Sequence, residues 1–171
     1  LLTCALAAYA FARLEFPGRE QLFIGYLATM MVPGVVTLIP VFILLRELRL
    51  VDTYWALILP GLFSAYGTFL LRQFFMGIPR ELEDAARIDG CGKLGVLRHV
   101  ILPLSKPALA TLATFTFIGS WNDFMGPLIF INSTAKKTLP IGLASFQGLY
   151  GTEWTLLMAA SVIVLLPVLV V

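Results

Sequence analysis

Long charge-free runs dominate the chain. Leu1 to Ala12 is apolar; Gln21 to Leu45 holds 25 residues without a charge, Thr53 to Leu71 19, Pro107 to Asn122 16 and Trp154 to Val171 18. Apolar character resumes after Asp123 and continues to Ile131. A spanning helix needs roughly 20 apolar residues, so the pattern predicts five hydrophobic helices, about 1–13, 21–45, 53–76, 104–131 and 154–171. Pro33, Pro40, Pro60, Pro127 and Pro167 fall inside them, which membrane helices tolerate because neighbours re-satisfy the freed backbone groups. The chain starts and stops inside apolar runs, which predicts a longer protein with at least one helix upstream and a tail downstream. No basic region precedes the first run, so a signal peptide is not expected.

Composition sharpens this picture. The chain has 171 residues, 59% hydrophobic and 13% charged, where soluble domains carry about 45–50% and about 25%. That excludes a water-soluble fold, and disorder with it. A net charge of 12 − 10 = +2 gives no basis for a nucleic-acid partner. Cys4 and Cys91 form neither a disulfide framework nor a CxxC metal site. A single histidine, His99, removes multi-histidine metal chemistry. No phosphate-binding GxxxxGK[ST] occurs, and no catalytic set of residues, metal site or cofactor site can be assembled.

Positive charges set the orientation. Of the four connections, 13–20 and 72–106 share one side and carry eight Lys and Arg; 46–52 and 132–153 share the other and carry four. The rule that cytoplasmic loops are richer in Lys and Arg puts 72–106 in the cytoplasm and 132–153 outside.

The only charge-rich stretch, 79–103, is patterned as two short helices. Pro79 suits a helix start. Glu81, Glu83 and Asp84 follow in the first turns, where acidic groups oppose the positive helix end. Leu82, Ala85, Ala86 and Ile88 recur at helical spacing, and Gly90 stops the helix where a left-handed residue fits. Leu94, Leu97 and Ile101 pattern a second helix, and Pro103 and Pro107 mark entry into the next span. The expected product is a cytoplasmic helix-turn-helix.

This stretch resembles the cytoplasmic loop of binding-protein-dependent ABC importer permeases, whose pattern is E-A-A, three residues, G, nine residues, I-x-L-P. Asp84-Ala85-Ala86, Gly90 and Val100-Ile101-Leu102-Pro103 match it in register, with Asp84 for Glu and Val100 for Ile. Further segments are similar to the carbohydrate subfamily, maltose and glycerol-3-phosphate type: Ala7 to Arg13, Phe16-Pro17-Gly18-Arg19, Asp52-Thr53-Tyr54-Trp55, Leu71 to Phe75, Trp121-Asn122-Asp123-Phe124 and Gly142 to Gly148. The resemblance implies an all-α type I importer permease fold in the bacterial cytoplasmic membrane, with five of six helices in this chain. Residues 1–171 would be its transmembrane domain and 79–103 its coupling loop. It implies no ATPase activity of the chain's own. The implied partners are a second related permease, two cytoplasmic ATPase subunits, an extracytoplasmic solute-binding protein and the lipid bilayer. The cargo would be a sugar or sugar-like solute.

By the same resemblance Glu83, Asp84, Ala85, Ala86, Asp89, Gly90, Leu94, Leu97 and Pro103 form the ATPase-coupling loop. Leu94 and Leu97, three residues apart, would be apolar knobs pointing the same way, where relatives often carry aromatics; Asp84, Arg87 and Asp89 would be a polar rim. Asn122 and Asp123, polar groups in an apolar segment, either line a translocation path or sit at the outer interface, with Trp121 as an interfacial anchor. Ser145 and Gln147 stand in a glycine-rich loop expected to meet the solute-binding protein. Arg72 is expected to snorkel to the cytoplasmic surface. The rival class is a membrane scaffold whose hairpin binds another partner; the register of 84–103 argues against it.

Overall fold

The computed structural model describes residues 1–148 and 151–170. In chain order its helices are α1 (Leu2–Arg13), α2 (Arg19–Ala28), α3 (Gly34–Glu47), α4 (Trp55–Ile58), α5 (Ala65–Met76), α6 (Arg80–Ile88), α7 (Lys93–Val96), α8 (Leu102–Leu104), α9 (Lys106–Trp121), α10 (Met125–Phe130), α11 (Leu139–Ala144) and α12 (Trp154–Val170). A π-helical turn, Leu97–Ile101, joins α7 to α8, and a two-residue antiparallel ribbon pairs β1 (Gln147–Gly148) with β2 (Gly151–Thr152). Leu149 and Tyr150 of the predicted 132–153 loop, and Val171 at the end of the predicted last helix, lie outside the described residues.

The fold class is as expected, but the long helices are interrupted. The predicted 21–45 helix is broken at Val32, whose extended backbone (ψ 116°) is what the following Pro33 imposes. The predicted 53–76 helix stops after Ile58 and restarts at α5, where the Ser64 hydroxyl accepts from the Gly67 amide at 3.0 Å as an N-cap. The predicted 104–131 helix is divided at Asn122 and Asp123. Among the described residues no single helix is long and apolar enough to cross a membrane. Two consecutive pairs do pass by length and composition together, Arg19–Met31 with Gly34–Glu47 and Lys93–Leu104 with Lys106–Trp121.

The chain forms two compact units. The first comprises 1–33 and 62–113. Its core packs α1 on α5, with Ala5, Ala8 and Ala12 against Leu71 and Phe75, capped by Val96, Leu97, Ile101 and Leu112. Small residues let the two helices approach. A Cβ on Gly67 would stand 3.1 Å from Cys4 Sγ and 3.2 Å from Leu112, tighter than side chains normally tolerate. Gly67→Val is therefore expected to lower stability by ~1–3 kcal/mol through overpacking. The check is the thermal unfolding midpoint of the detergent-solubilised protein, and an unchanged midpoint would contradict this packing.

Arg72 does not snorkel. It is buried in this unit, donates from Nε to the Phe11 carbonyl at 3.2 Å and pairs with Glu20 at 2.9 Å, its guanidinium lying 4.0 Å over the Phe23 ring. A carboxylate and an aromatic face from α2 satisfy it more fully than an apolar route to water.

The second unit comprises 34–61 and 114–171, of which 149, 150 and 171 are not described. Its small core is Leu45, Ala56 and Phe130, with the Phe42 ring stacked on Phe130. α3 ends in a Schellman motif: the Leu50 amide donates to Leu45 and the Arg49 amide to Arg46, with Arg49 left-handed at φ 57°. Asp52 is left-handed too, at φ 62°. Trp121 Nε1 donates to the Val164 carbonyl of α12 at 3.1 Å.

Candidate functional site

Helix α6 and the segment 93–104 form the hairpin that the motif predicts. Glu81 and Glu83 lie in the first turn of α6, next to its unpaired amides. The helix closes in a Schellman motif: the Cys91 amide donates to Ala86 at 2.9 Å and the Gly90 amide to Arg87 at 3.0 Å, with Gly90 at φ 86°. A Cβ at Gly90 meets nothing within 4 Å, so backbone conformation alone selects glycine there. Ala86 and Cys91 pack against the core of the first unit, while Ala85 faces outward. Asp84 and Asp89 are exposed, and Arg87 pairs with Asp84 at 3.2 Å.

Two predicted loop residues point the other way. Glu83 is buried, its carboxylate 2.8 Å from Arg13 Nε of α1. An acidic side chain in a first turn usually faces solvent, and here an arginine from a distant helix draws it in. Leu97 is also buried, at 4% exposure, with Val96 and Ile101. Leu94 is 72% exposed, so Leu94 and Leu97 do not act as one pair of knobs. The spacing of three allows one face, but the core takes Leu97 and leaves Leu94 outside. Ile88, at the end of α6, is also bare, at 88% exposure. It belongs to the stripe read from the sequence, but nothing in that stripe distinguishes its inward members from its outward ones.

Pro103 does not end the second helix. The Leu102 amide reaches back five residues to Leu97, the π pattern, one residue before the proline whose ring excludes an ordinary turn. The helical path continues to Leu104 and breaks at Ser105. His99 is exposed, its Nδ1 3.0 Å from the Gly95 carbonyl.

In the second unit, Asn122 and Asp123 lie at the break between α9 and α10 rather than within one apolar helix. Asn122 Nδ2 donates to the Ile118 carbonyl at 2.9 Å, and Asp123 Oδ1 accepts from the Gly126 amide at 3.3 Å. Asp123 also lines a cavity of about 280 Å³ with Gly61, Gly119, Ser120, Gly126 and Phe130. Ser145 donates to the Gly142 carbonyl at the end of α11, and Gln147 is exposed on β1.

Sequence reading missed Asp52. Its Oδ1 accepts from the Asn132 amide at 3.0 Å and the Ser133 amide at 2.9 Å; the Ser133 hydroxyl donates to Oδ2, and Lys136 Nζ lies 3.4 Å from Oδ2. The carboxylate thus clasps the loop after α10 to the loop after α3. The Ser133 hydroxyl and amide, with the Asn132 amide and Lys136, hold the Asp52 carboxyl well below the usual carboxylate range. A depressed native pKa gives stability above the ordinary value of 3.8 that is lost as pH falls through the native one. Amide exchange at Asn132 and Ser133, corrected for its intrinsic pH dependence, is therefore expected to stay slow at pH 5 and above. Asp52→Asn should accelerate it at neutral pH, and equal rates in the two proteins would dismiss the clasp.

Residues 3–171 match the family described as binding-protein-dependent transport system inner membrane component. The chain is 40% identical over 170 residues to the arabinooligosaccharides transport system permease protein AraQ of Halalkalibacterium halodurans, covering 99% of this chain and 61% of that protein. It is 40% identical over 168 residues to the sn-glycerol-3-phosphate transport system permease protein UgpE of Yersinia pestis, covering 97% and 60%. The chain thus spans about three fifths of the length of these relatives. Its fold matches a chain of a bacterial ABC transporter involved in the import of the acidic polysaccharide alginate, with a TM-score of 0.88 at 26% identity, covering 99% of this chain and 66% of that one.

Proposed function

The chain belongs to the family of inner membrane components of binding-protein-dependent transport systems, and from that premise we propose that it forms half of the translocation path of an ATP-driven importer for a sugar or sugar-like solute. It hydrolyses nothing itself. It works with a second related permease, two cytoplasmic ATPase subunits and an extracytoplasmic solute-binding protein. The observation that carries the reading is the 80–104 hairpin: its family motif is folded in register around Gly90, and it presents Ile88 and Leu94 bare to a partner.

In this reading the hairpin lies in the bacterial cytoplasm, with 46–52 and 132–153 outside. Two pairings support the grouping of the connections on which this sidedness builds. In one unit Arg13 and Glu20, from the first connection and its edges, pair with Glu83 and Arg72 at the third. In the other, Asp52 of the second connection clasps Ser133 and Lys136 of the fourth. Transport is alternating access: closure of the ATPase pair moves the hairpin, and the membrane helices follow between two arrangements that differ in contacts and involve no covalent step. Asn122 and Asp123 line the path. Ser145 and Gln147 meet the solute-binding protein.

The decisive test is reconstitution of the full complex in lipid, where the loaded binding protein should stimulate ATP turnover; absence of stimulation refutes the importer reading. Cysteines at Ser145 and Gln147 are expected to crosslink to the binding protein with a short reagent. Crosslinks confined to the permease would remove the loop from that interface.

A further inference from the structure

We propose that Arg13 is a positioning residue that locks the first leg of the 80–104 hairpin, α6, to the end of α1, with Tyr9 of the same helix holding the second leg, so that a displacement of the hairpin turns α1 with it. This rests on the hairpin being the ATPase contact and adds the route by which motion leaves it.

Arg13 is the last residue of α1. Its side chain is 5% exposed and that of Glu83 is 4%, with Nε and Oε1 2.8 Å apart. An Arg13 terminal nitrogen donates to the carbonyls of Phe75 and Ile78, at and just beyond the end of α5, where carbonyls lack partners within the helix. One guanidinium therefore holds the end of α5 and the underside of α6. Tyr9 lies four residues earlier, on the same face of α1. It is buried, and its hydroxyl donates to the Lys93 carbonyl at the start of α7 at 3.0 Å. The first leg is thus held through Glu83 and the second through Lys93, by two side chains of one helix face.

Packing alone would hold the hairpin on the core, since Val96, Leu97 and Ile101 are buried there. An apolar pair of the same volume often holds two elements as well as a buried ion pair does. What the close Arg13–Glu83 ion pair and the directional Tyr9 hydrogen bond add is a fixed register, which sliding or tilting of the hairpin would break. Glu83 is enclosed against α1 while Asp84 beside it faces outward, so Glu83 serves the inner contact. The exposed Arg87 lies 3.8 Å from its other oxygen, joining the lock to the outer rim of α6.

The test uses the complete transporter in lipid, with Glu83→Gln, Arg13→Lys and the exchanged Arg13→Glu, Glu83→Arg protein. In Glu83→Gln the ATPase is expected to co-purify as in the wild type and to keep its turnover without binding protein. Stimulation by the loaded binding protein should fall about tenfold, within the ~5–150-fold that coupling free energies span. The exchanged pair should recover most of that loss. The native Cys91, at the turn between the legs, should react faster with a maleimide in Glu83→Gln membranes, a readout that needs no ATPase. Wild-type stimulation in both single variants overturns the proposal. Loss of co-purification in Glu83→Gln overturns it as well, since Glu83 would then belong to the ATPase contact. If instead Ile88→Ser with Leu94→Ser retains the ATPase, the docking reading fails alone; unchanged Cys91 reactivity in Glu83→Gln would then refute the lock independently.

Discussion

Replacing Ile88 and Leu94 together by serine is expected to free the ATPase from a permease that still inserts and folds. The two side chains flank the Gly90 turn and are 88% and 72% exposed. Neither contributes to the core of the first unit, so the change costs the fold little. In a complex each would be covered, and burying a large aliphatic side chain contributes ~1.5–3 kcal/mol. Two give ~3–6 kcal/mol before ordering costs, and about 3 kcal/mol net corresponds to roughly 100-fold in affinity. The measurement is the amount of ATPase recovered with a tagged permease, together with ATP turnover in the presence of loaded binding protein. Leu97→Ser is the informative contrast. Leu97 is buried with Val96 and Ile101, so its replacement should lower thermal stability first. Full ATPase recovery by the double variant would show that the hairpin's outer face touches nothing of consequence.

Asp123→Ala is expected to cut uptake about tenfold while the complex still assembles. Asp123 lines the 280 Å³ cavity beside Ser120, Gly61 and Gly119, and a Cβ at Gly119 would meet nothing within 4 Å, which leaves backbone open to a ligand there. A carboxylate is an acceptor-only group suited to solute hydroxyls, and a hydrogen bond to a charged partner contributes ~1.5–3 kcal/mol, roughly tenfold or more. Asp123 also accepts from the Gly126 amide at the start of α10, a cap whose loss costs ~0.5–2 kcal/mol. Asp123→Asn keeps an acceptor for that amide and separates the two roles: it should assemble normally yet remain impaired in uptake. Wild-type uptake in Asp123→Ala would leave capping as the whole of its role.

The class of this protein was legible without coordinates because hydrophobic runs and the Asp84–Pro103 motif are local, periodic signals. A chain with this hydropathy is bound to lipid-compatible helices, and Gly90 between two amphipathic runs allows little other than a reversal. Proline and glycine explain most of what the runs concealed: Pro33 and Pro103 alter the backbone at or just before their own positions, although run length alone read straight across them.

Which side of each helix turned inward was decided only in three dimensions. Leu94 and Leu97 are equally apolar and three residues apart, yet only Leu97 joins the core of α1 and α5. Glu83 and Asp84 are adjacent carboxylates, and only Glu83 lies within reach of Arg13, some seventy residues away in the chain. Arg72 found Glu20, and Asp52 found Ser133, by the same means. Periodicity reports what a residue is and where it recurs. The partner that satisfies a buried charge comes from another part of the chain, and its position exists only once the helices have packed.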